Sequence, residues 1–151
     1  MHISAKSDYA VRALLALAAH YPGQVRGEVL AREQDLPRKF LEAILGDLRR
    51  AGLVRSQRGA VGGFALARPP AEITVGQALR AVDGPLAEVR GLRPDQTAYV
   101  GVAEHLPTVW VAARAALRDV LDEVTLVDVL SGQLPGHVIG LAGQPDAWAP
   151  R

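Results

Sequence analysis

Two groups of side chains in this 151-residue sequence have the types and spacing to act on another molecule, and a third has suitable types alone. The first is Arg38, Lys39 and Glu42, followed further along by Arg49 and Arg50. An arginine can donate two parallel hydrogen bonds to the edge of a guanine, and a carboxylate can accept from the amino group of a cytosine. Basic residues beyond them can reach the flanking phosphates. A carboxylate on such a face repels phosphate, so Glu42 suits base discrimination better than affinity. The second group is Arg58 beside Gly59, with Gly62 and Gly63 close behind. A glycine-rich tip lets the backbone approach DNA closely, and an arginine there can enter a narrow minor groove. The third is Asp8, Glu104 and His105, which carry oxygen and imidazole donors of the kind that bind metals.

Other chemistry lacks the residues it needs. Without cysteine there is no disulfide, no thiolate-held zinc or iron–sulfur cluster, and no thiol redox sensor. The four histidines, His2, His20, His105 and His137, form no His-x3-His pair. Adjacent Glu104 and His105 would diverge on a helix. No metal site and no cofactor are therefore assigned. There is no G-x-S-x-G elbow, no P-loop and no dinucleotide fingerprint, so no catalytic residue is assigned and the chain is not expected to be an enzyme.

A hydrophobic share of 49% with 22% charged residues fits a packed globular domain, or a small domain with an appended helical segment. No apolar run approaches the roughly 18 residues of a membrane span. The first residues lack the apolar core of a signal peptide, so a cytoplasmic protein with no membrane partner is expected. The net charge of +1 conceals an asymmetry: residues 1–68 hold 11 Lys and Arg against 6 Asp and Glu, and residues 69–151 hold 6 against 10. A basic half joined to an acidic half suits a polyanion-binding module attached to something with another task.

The elements that must position these residues follow from periodicity. Helical spacing of Tyr9, Val11, Leu14, Leu15, Leu17, Ala18 and Tyr21 predicts a first helix over 7–21, capped by Ser7. A short helix over 27–34, a turn at Asp35-Leu36-Pro37 and a third helix over 37–51 follow, with Pro37 as its first residue. On the third helix Phe40, Leu41, Ile44, Leu45, Leu48 and Ala51 share an arc about 140° wide at about 100° per residue. Arg38, Lys39, Glu42, Arg49 and Arg50 take the other side. Two extended runs, 54–58 and 64–68, flank the glycine-rich tip as a β-hairpin. Together these make a winged helix-turn-helix: mainly α, with a small β-hairpin wing.

Beyond it, Thr74 to Gln77 resembles a capping box that opens a helix to Val82, and residues 84–97 read as loop. A long helix to about residue 123 starts near Thr97 or at Pro107. Leu106, Val109, Ala113, Leu117, Val120 and Val124 form its apolar stripe, with Trp110 and Leu121 beside it. A final short helix spans 125–130. The expected organisation is a DNA-binding domain over 1–83, a loop and long dimerisation helix over 84–131, and a poorly ordered tail over 132–151.

Three runs carry a family resemblance: residues 7–14 (SDYAVRAL), 40–45 (FLEAIL) and 51–64 (AGLVRSQRGAVGGF). They resemble the IscR/NsrR/CymR family of bacterial winged-helix repressors, and the likeness extends, less strictly, to about residue 131. The resemblance implies a homodimer whose long helices cross and pair. It also implies major-groove reading by the third helix with Glu42 in the discriminating position, and Arg58 as the minor-groove arginine of the wing. Many members hold an iron–sulfur cluster through three cysteines in the loop before the long helix. Here that interval, residues 91–107, has no cysteine; Glu104 and Pro107 stand about where ligands stand in IscR-type members, and Asp8 where some NsrR-type members supply a carboxylate. A cluster-free, homodimeric DNA-binding regulator on a palindromic operator is expected. The alternatives are a winged-helix protein-interaction module, or a regulator sensing a non-cluster metal or small molecule within 84–110, near Tyr99, His105 and Trp110.

Overall fold

The computed structural model describes residues 2–150. Seven α-helices and a two-stranded antiparallel sheet follow one another among these residues: α1 (Ala5–Ala19), α2 (Gly27–Glu33), α3 (Arg38–Arg50), β1 (Val54–Gln57), β2 (Gly63–Leu66), α4 (Val75–Asp83), α5 (Leu106–Leu121), α6 (Leu126–Ser131) and α7 (Gly136–Ala142). This is the mainly helical, winged arrangement expected from the sequence.

The core forms around α1, whose small residues let neighbours approach. Ala10, Ala13, Leu14 and Leu17 are fully buried, and Leu41, Ile44, Leu45 and Leu48 of α3 meet them in the same cluster. Each fully buried leucine contributes about 1.5–3 kcal/mol. The cap of α1 is Ser4, whose side chain accepts from the Ser7 backbone N–H. Ser7, the expected cap, is instead 1% exposed and donates to Asp83 at the end of α4 at 2.7 Å. The Ser4 hydroxyl donates to the same carboxylate. Pro37 likewise sits one place outside its expected position, as the extended residue preceding α3.

The wing is fixed by backbone pairing. Val54 lies opposite Leu66 and Gln57 opposite Gly63. Val25, just before α2, exchanges two 2.8 Å backbone hydrogen bonds with Phe64, adding a short third edge to the hairpin. Gly63 must be glycine for this approach, since a Cβ there would lie 2.8 Å from the Val25 carbonyl oxygen.

The expected capping box is formed at α4: the Thr74 side chain accepts from the Gln77 N–H, and Gln77 reaches back to the Thr74 N–H at 3.1 Å. Of the two starts expected for the long helix, the one at Pro107 occurs, because proline needs no hydrogen-bond partner in a first turn. Thr97 is buried, with its hydroxyl donating to the Pro94 carbonyl at 2.7 Å, and closes a short 3-10 turn instead. After α5 the chain returns to the head. Leu126 is fully buried in the α1–α3 core, and its N–H donates to the Ile73 carbonyl at 3.0 Å.

The segment after Ser131 departs from the poorly ordered tail expected. It contains α7, preceded by Pro135. Leu134 and Val138 share an apolar cleft with Val120, Leu121 and Val124, and the His137 Nε2–H donates to the Asp119 carbonyl at 2.7 Å. The prolines and glycines that suggested a tail punctuate this helix, and its apolar residues supply the contact.

Candidate nucleic-acid interface

Helix α3 follows α2 across a tight turn in which Asp35 adopts a left-handed φ of 50°. Leu36 anchors the turn, 6% exposed and hydrogen-bonded to the Ala31 carbonyl at 2.8 Å. With its apolar side against α1, α3 turns Arg38, Lys39, Glu42, Arg49 and Arg50 outward, and all five are exposed. Phe40 is a correction: expected among the packed residues, it is 54% exposed, with its ring edge-on to Tyr9 at 6.3 Å between ring centres. It lies at the start of the helix and at the edge of the apolar arc, where α1 no longer covers it.

Of these exposed side chains of α3, Arg38, Glu42, Arg49 and Arg50 are tied to one another or to their neighbours. Arg38 is bracketed by two carboxylates, with Glu42 on its own helix and Glu28 on α2 each 3.3 Å away. Both partners are more than half exposed, so the bracket is held loosely by solvent-screened charges. A ligand that offers Arg38 a better acceptor could therefore displace either carboxylate. Arg49 donates to the Ser56 hydroxyl at 3.1 Å, tying the end of α3 to the first wing strand. Arg50 pairs with Asp47, whose other partner is Lys6 of α1 at 2.7 Å.

Arg58 and Gly59 stand at the exposed wing tip, with Gly59 at a φ of 113° that favours glycine. Arg26, just before α2, donates to the Ala60 carbonyl, and Gln24 donates to Gln57 at 2.6 Å. The wing tip is thus braced back to the helix-turn-helix. These braces, together with Lys6 and Glu28, escaped the sequence reading because none of them lies on the periodic face of a helix. The basic character of Arg26 and Lys6 was the only available signal, and it pointed equally to solvent.

The proposed dimer residues lie on α5, a helix of 16 residues with none buried. Val109 is 55% exposed, Ala113 is exposed, and Leu106, Trp110, Leu117 and Val120 are half-buried. Val124 departs from this group. It is 6% exposed within the chain, beyond the end of α5, and its carbonyl accepts from Val75 at 2.9 Å. It has no surface left to offer a partner, because the stripe turns inward where the chain rejoins the head. Two ion pairs attach α5 to the body: Arg80–Asp122 at 2.7 Å and Arg114–Asp95 at 2.8 Å. The hydrogen bond from Arg114 holds the Asp95 carboxyl below the usual aspartate range. Gly76 lets α4 touch the end of α5, for a Cβ there would collide with the Asp122 carboxylate and lie 3.1 Å from the Leu121 carbonyl.

The third group does not assemble. Asp8 pairs with Arg12 at 3.5 Å, while Glu104 faces its neighbour His105 at 3.3 Å, with the imidazole side chain 90% exposed. Tyr99 lies under the Arg90 guanidinium at 5.5 Å. Among the described residues no three of His, Cys, Asp and Glu gather as metal ligands would, and no helix is long and apolar enough to cross a membrane.

Comparison with known proteins adds an independent line. The family described as "Rrf2: Iron-dependent Transcriptional regulator" matches residues 3–132. Rv1287 of Mycobacterium tuberculosis, named as an HTH-type transcriptional regulator, is 48% identical over 143 residues, covering 94% of this chain and 89% of that protein. The HTH-type regulator CymR of Bacillus subtilis is 35% identical over 132 residues, 87% of this chain and 91% of its own. The solved structure of B. subtilis CymR, titled as the global cysteine regulator, aligns with a TM-score of 0.73 at 32% identity, over 88% of this chain and 98% of that one. T. potens IscR aligns with a TM-score of 0.69 at 34% identity, over 92% and 96%. The residues present do not fit an iron–sulfur cluster, since the sequence has no thiolate donor and, among the described residues, Asp8, Glu104 and His105 do not gather as ligands.

Proposed function

Because this chain belongs to the Rrf2 family of transcriptional regulators, we propose that it acts in the cytoplasm as a homodimeric repressor on a palindromic operator, without an iron–sulfur cluster. Helix α3 enters the major groove, where Arg38, Lys39 and Glu42 read base edges while Arg49 and Arg50 meet phosphates. Arg58 and Gly59 of the wing follow the adjacent minor groove. The pairing surface is the exposed stripe of α5 through Leu106, Val109, Trp110, Ala113, Leu117 and Val120. Two copies related by a twofold axis then present two α3 helices about 34 Å apart, one turn of DNA.

The observation that supports this most is the bracing of the wing against the reading helix. Arg49–Ser56, Arg26–Ala60 and the Val25–Phe64 backbone pair join the two basic surfaces directly. A protein-interaction module has no need of that coupling. The test is a titration of the purified protein, with no metal added, against DNA from its own upstream region and a scrambled duplex. Preference for the upstream DNA supports the proposal, and equal weak binding to both rejects it.

A further inference from the structure

A cavity of about 50 Å3 opens where α4, the loop over residues 84–94 and α5 meet. Arg80 contributes from α4, Arg93 from the loop, and Arg114 and Arg118 from α5; Glu88 is the one carboxylate in its lining. Four arginines line this one small opening, and the fold offsets only part of their charge. Asp95 accepts from Arg93 at 2.9 Å and Arg114 at 2.8 Å, and Asp122 pairs with Arg80 at 2.7 Å. Arg118 forms no ion pair with a described residue. The Arg114 side chain is only 15% exposed, and buried Pro94 and Leu86 form apolar walls that strengthen the field of the charges beside them.

We propose that this cavity binds a small oxyanion, of the phosphate, sulfate or short dicarboxylate class, which bridges Arg80 on the reading body to Arg114 and Arg118 on α5. Each guanidinium has five donors in a planar fork matched to such an anion, and the pairs described use only some of them. Size sets the class. The opening is small, which suits a small anion such as phosphate, sulfate or malonate better than a nucleotide. The anion would stiffen the α4–α5 junction beside the contact of Gly76 with Asp122. Any effect of that stiffening on operator binding rests on the regulator reading above, whereas the anion binding itself does not.

The test is calorimetric titration of the full chain, without DNA, with inorganic phosphate, sulfate and malonate at ionic strength held constant with chloride. Saturable binding of at least one anion, one per chain, is expected. Arg118→Gln should weaken it by about tenfold or more while leaving the melting temperature without anion unchanged. Arg114→Gln provides a second variant on the same helix. No saturable binding of any of the three, or binding unaltered in both variants, overturns the proposal. A final arm compares the parent and Arg118→Gln on upstream DNA with no anion added. Equal affinity is expected, while a loss would assign Arg118 to DNA phosphates and also overturn it.

Discussion

Lys6 Nζ lies 2.7 Å from Asp47 Oδ2 and also donates to the Val82 carbonyl at 2.9 Å, so one ammonium joins α1, α3 and α4. The hydrogen bond from Lys6 is the main cause holding the Asp47 carboxyl below its ordinary value, with the charges of Lys6 and Arg50 assisting. A carboxyl depressed in the folded state favours folding above its unfolded value, and that favour is lost as pH falls through the folded one. Lys6→Met should therefore cost about 1 kcal/mol at pH 7, after discounting the partly exposed ammonium for screening. The gap should narrow in acid, below the ordinary aspartate range near 3.9, to the part owed to the Val82 carbonyl. Urea unfolding of both proteins at neutral pH and in acid checks this; a gap that is the same at both rejects it.

Arg58→Ala should weaken specific operator binding by about 1–3 kcal/mol. Glu42→Ala should lose base preference with little loss of general affinity. Glu28→Ala, which removes one side of the Arg38 bracket, should raise affinity for all sequences by lessening repulsion of phosphate. Anisotropy titrations on a panel of mutated operators separate the three, and parent-like behaviour in Arg58→Ala and Glu42→Ala together would show the reading face to be elsewhere.

Replacing Val109 and Leu117 together by Glu should yield folded monomers that bind the operator poorly, since two carboxylates cannot be buried against their twins. Sedimentation at micromolar concentration reads this directly. A parent chain that already runs as a monomer would remove the basis for the paired-helix arrangement.

Gly76→Ala should destabilise the chain by about 1–3 kcal/mol, because the added methyl group must displace the Asp122 carboxylate and crowd the Leu121 carbonyl. Thermal melts of this variant and of Gly136→Ala, where a Cβ meets nothing within 4 Å, make the comparison. Equal melting temperatures would show that α5 yields freely at its attachment.

Purified anaerobically, the protein should be colourless, carry no stoichiometric iron and bind its operator without reconstitution, because no thiolate is available to hold a cluster. Metal analysis and visible absorbance decide the matter. Tightly bound iron that controls operator affinity would overturn the cluster-free proposal and make Asp8, Glu104 and His105 the residues to replace next.

The two faces of α3 were legible because 13 consecutive residues obey one period, and its buried leucines are the expected ones. The wing was legible from its glycines. What periodicity cannot say is which body covers an apolar residue. Val124 continues the stripe of α5 in sequence but is covered by its own chain, and Phe40 begins an apolar arc beyond the reach of α1. Ser4 and Ser7 offer hydroxyls three residues apart; Ser4 caps by accepting from the Ser7 N–H, and both hydroxyls donate to Asp83, a partner far along the chain that no local pattern reveals. The bracket on Arg38 was hidden for a similar reason, since Glu28 approaches across the turn between helices.

The burial of Leu126 among the leucines of α1 and α3 has a consequence for synthesis on the ribosome. The N-terminal head holds the reading helix and wing, but its core has an open seat until residue 126 has left the exit tunnel. Until then, the apolar floor of that seat is exposed on a nascent chain whose reading surface is already basic. Completion of the head's core is thereby expected only after all of α5 has been made, so the surface proposed to contact DNA would mature together with the helix proposed to pair it. A fragment ending at Asp83 should expose that seat, bind a hydrophobic dye and aggregate, whereas one ending at Ser131 should not.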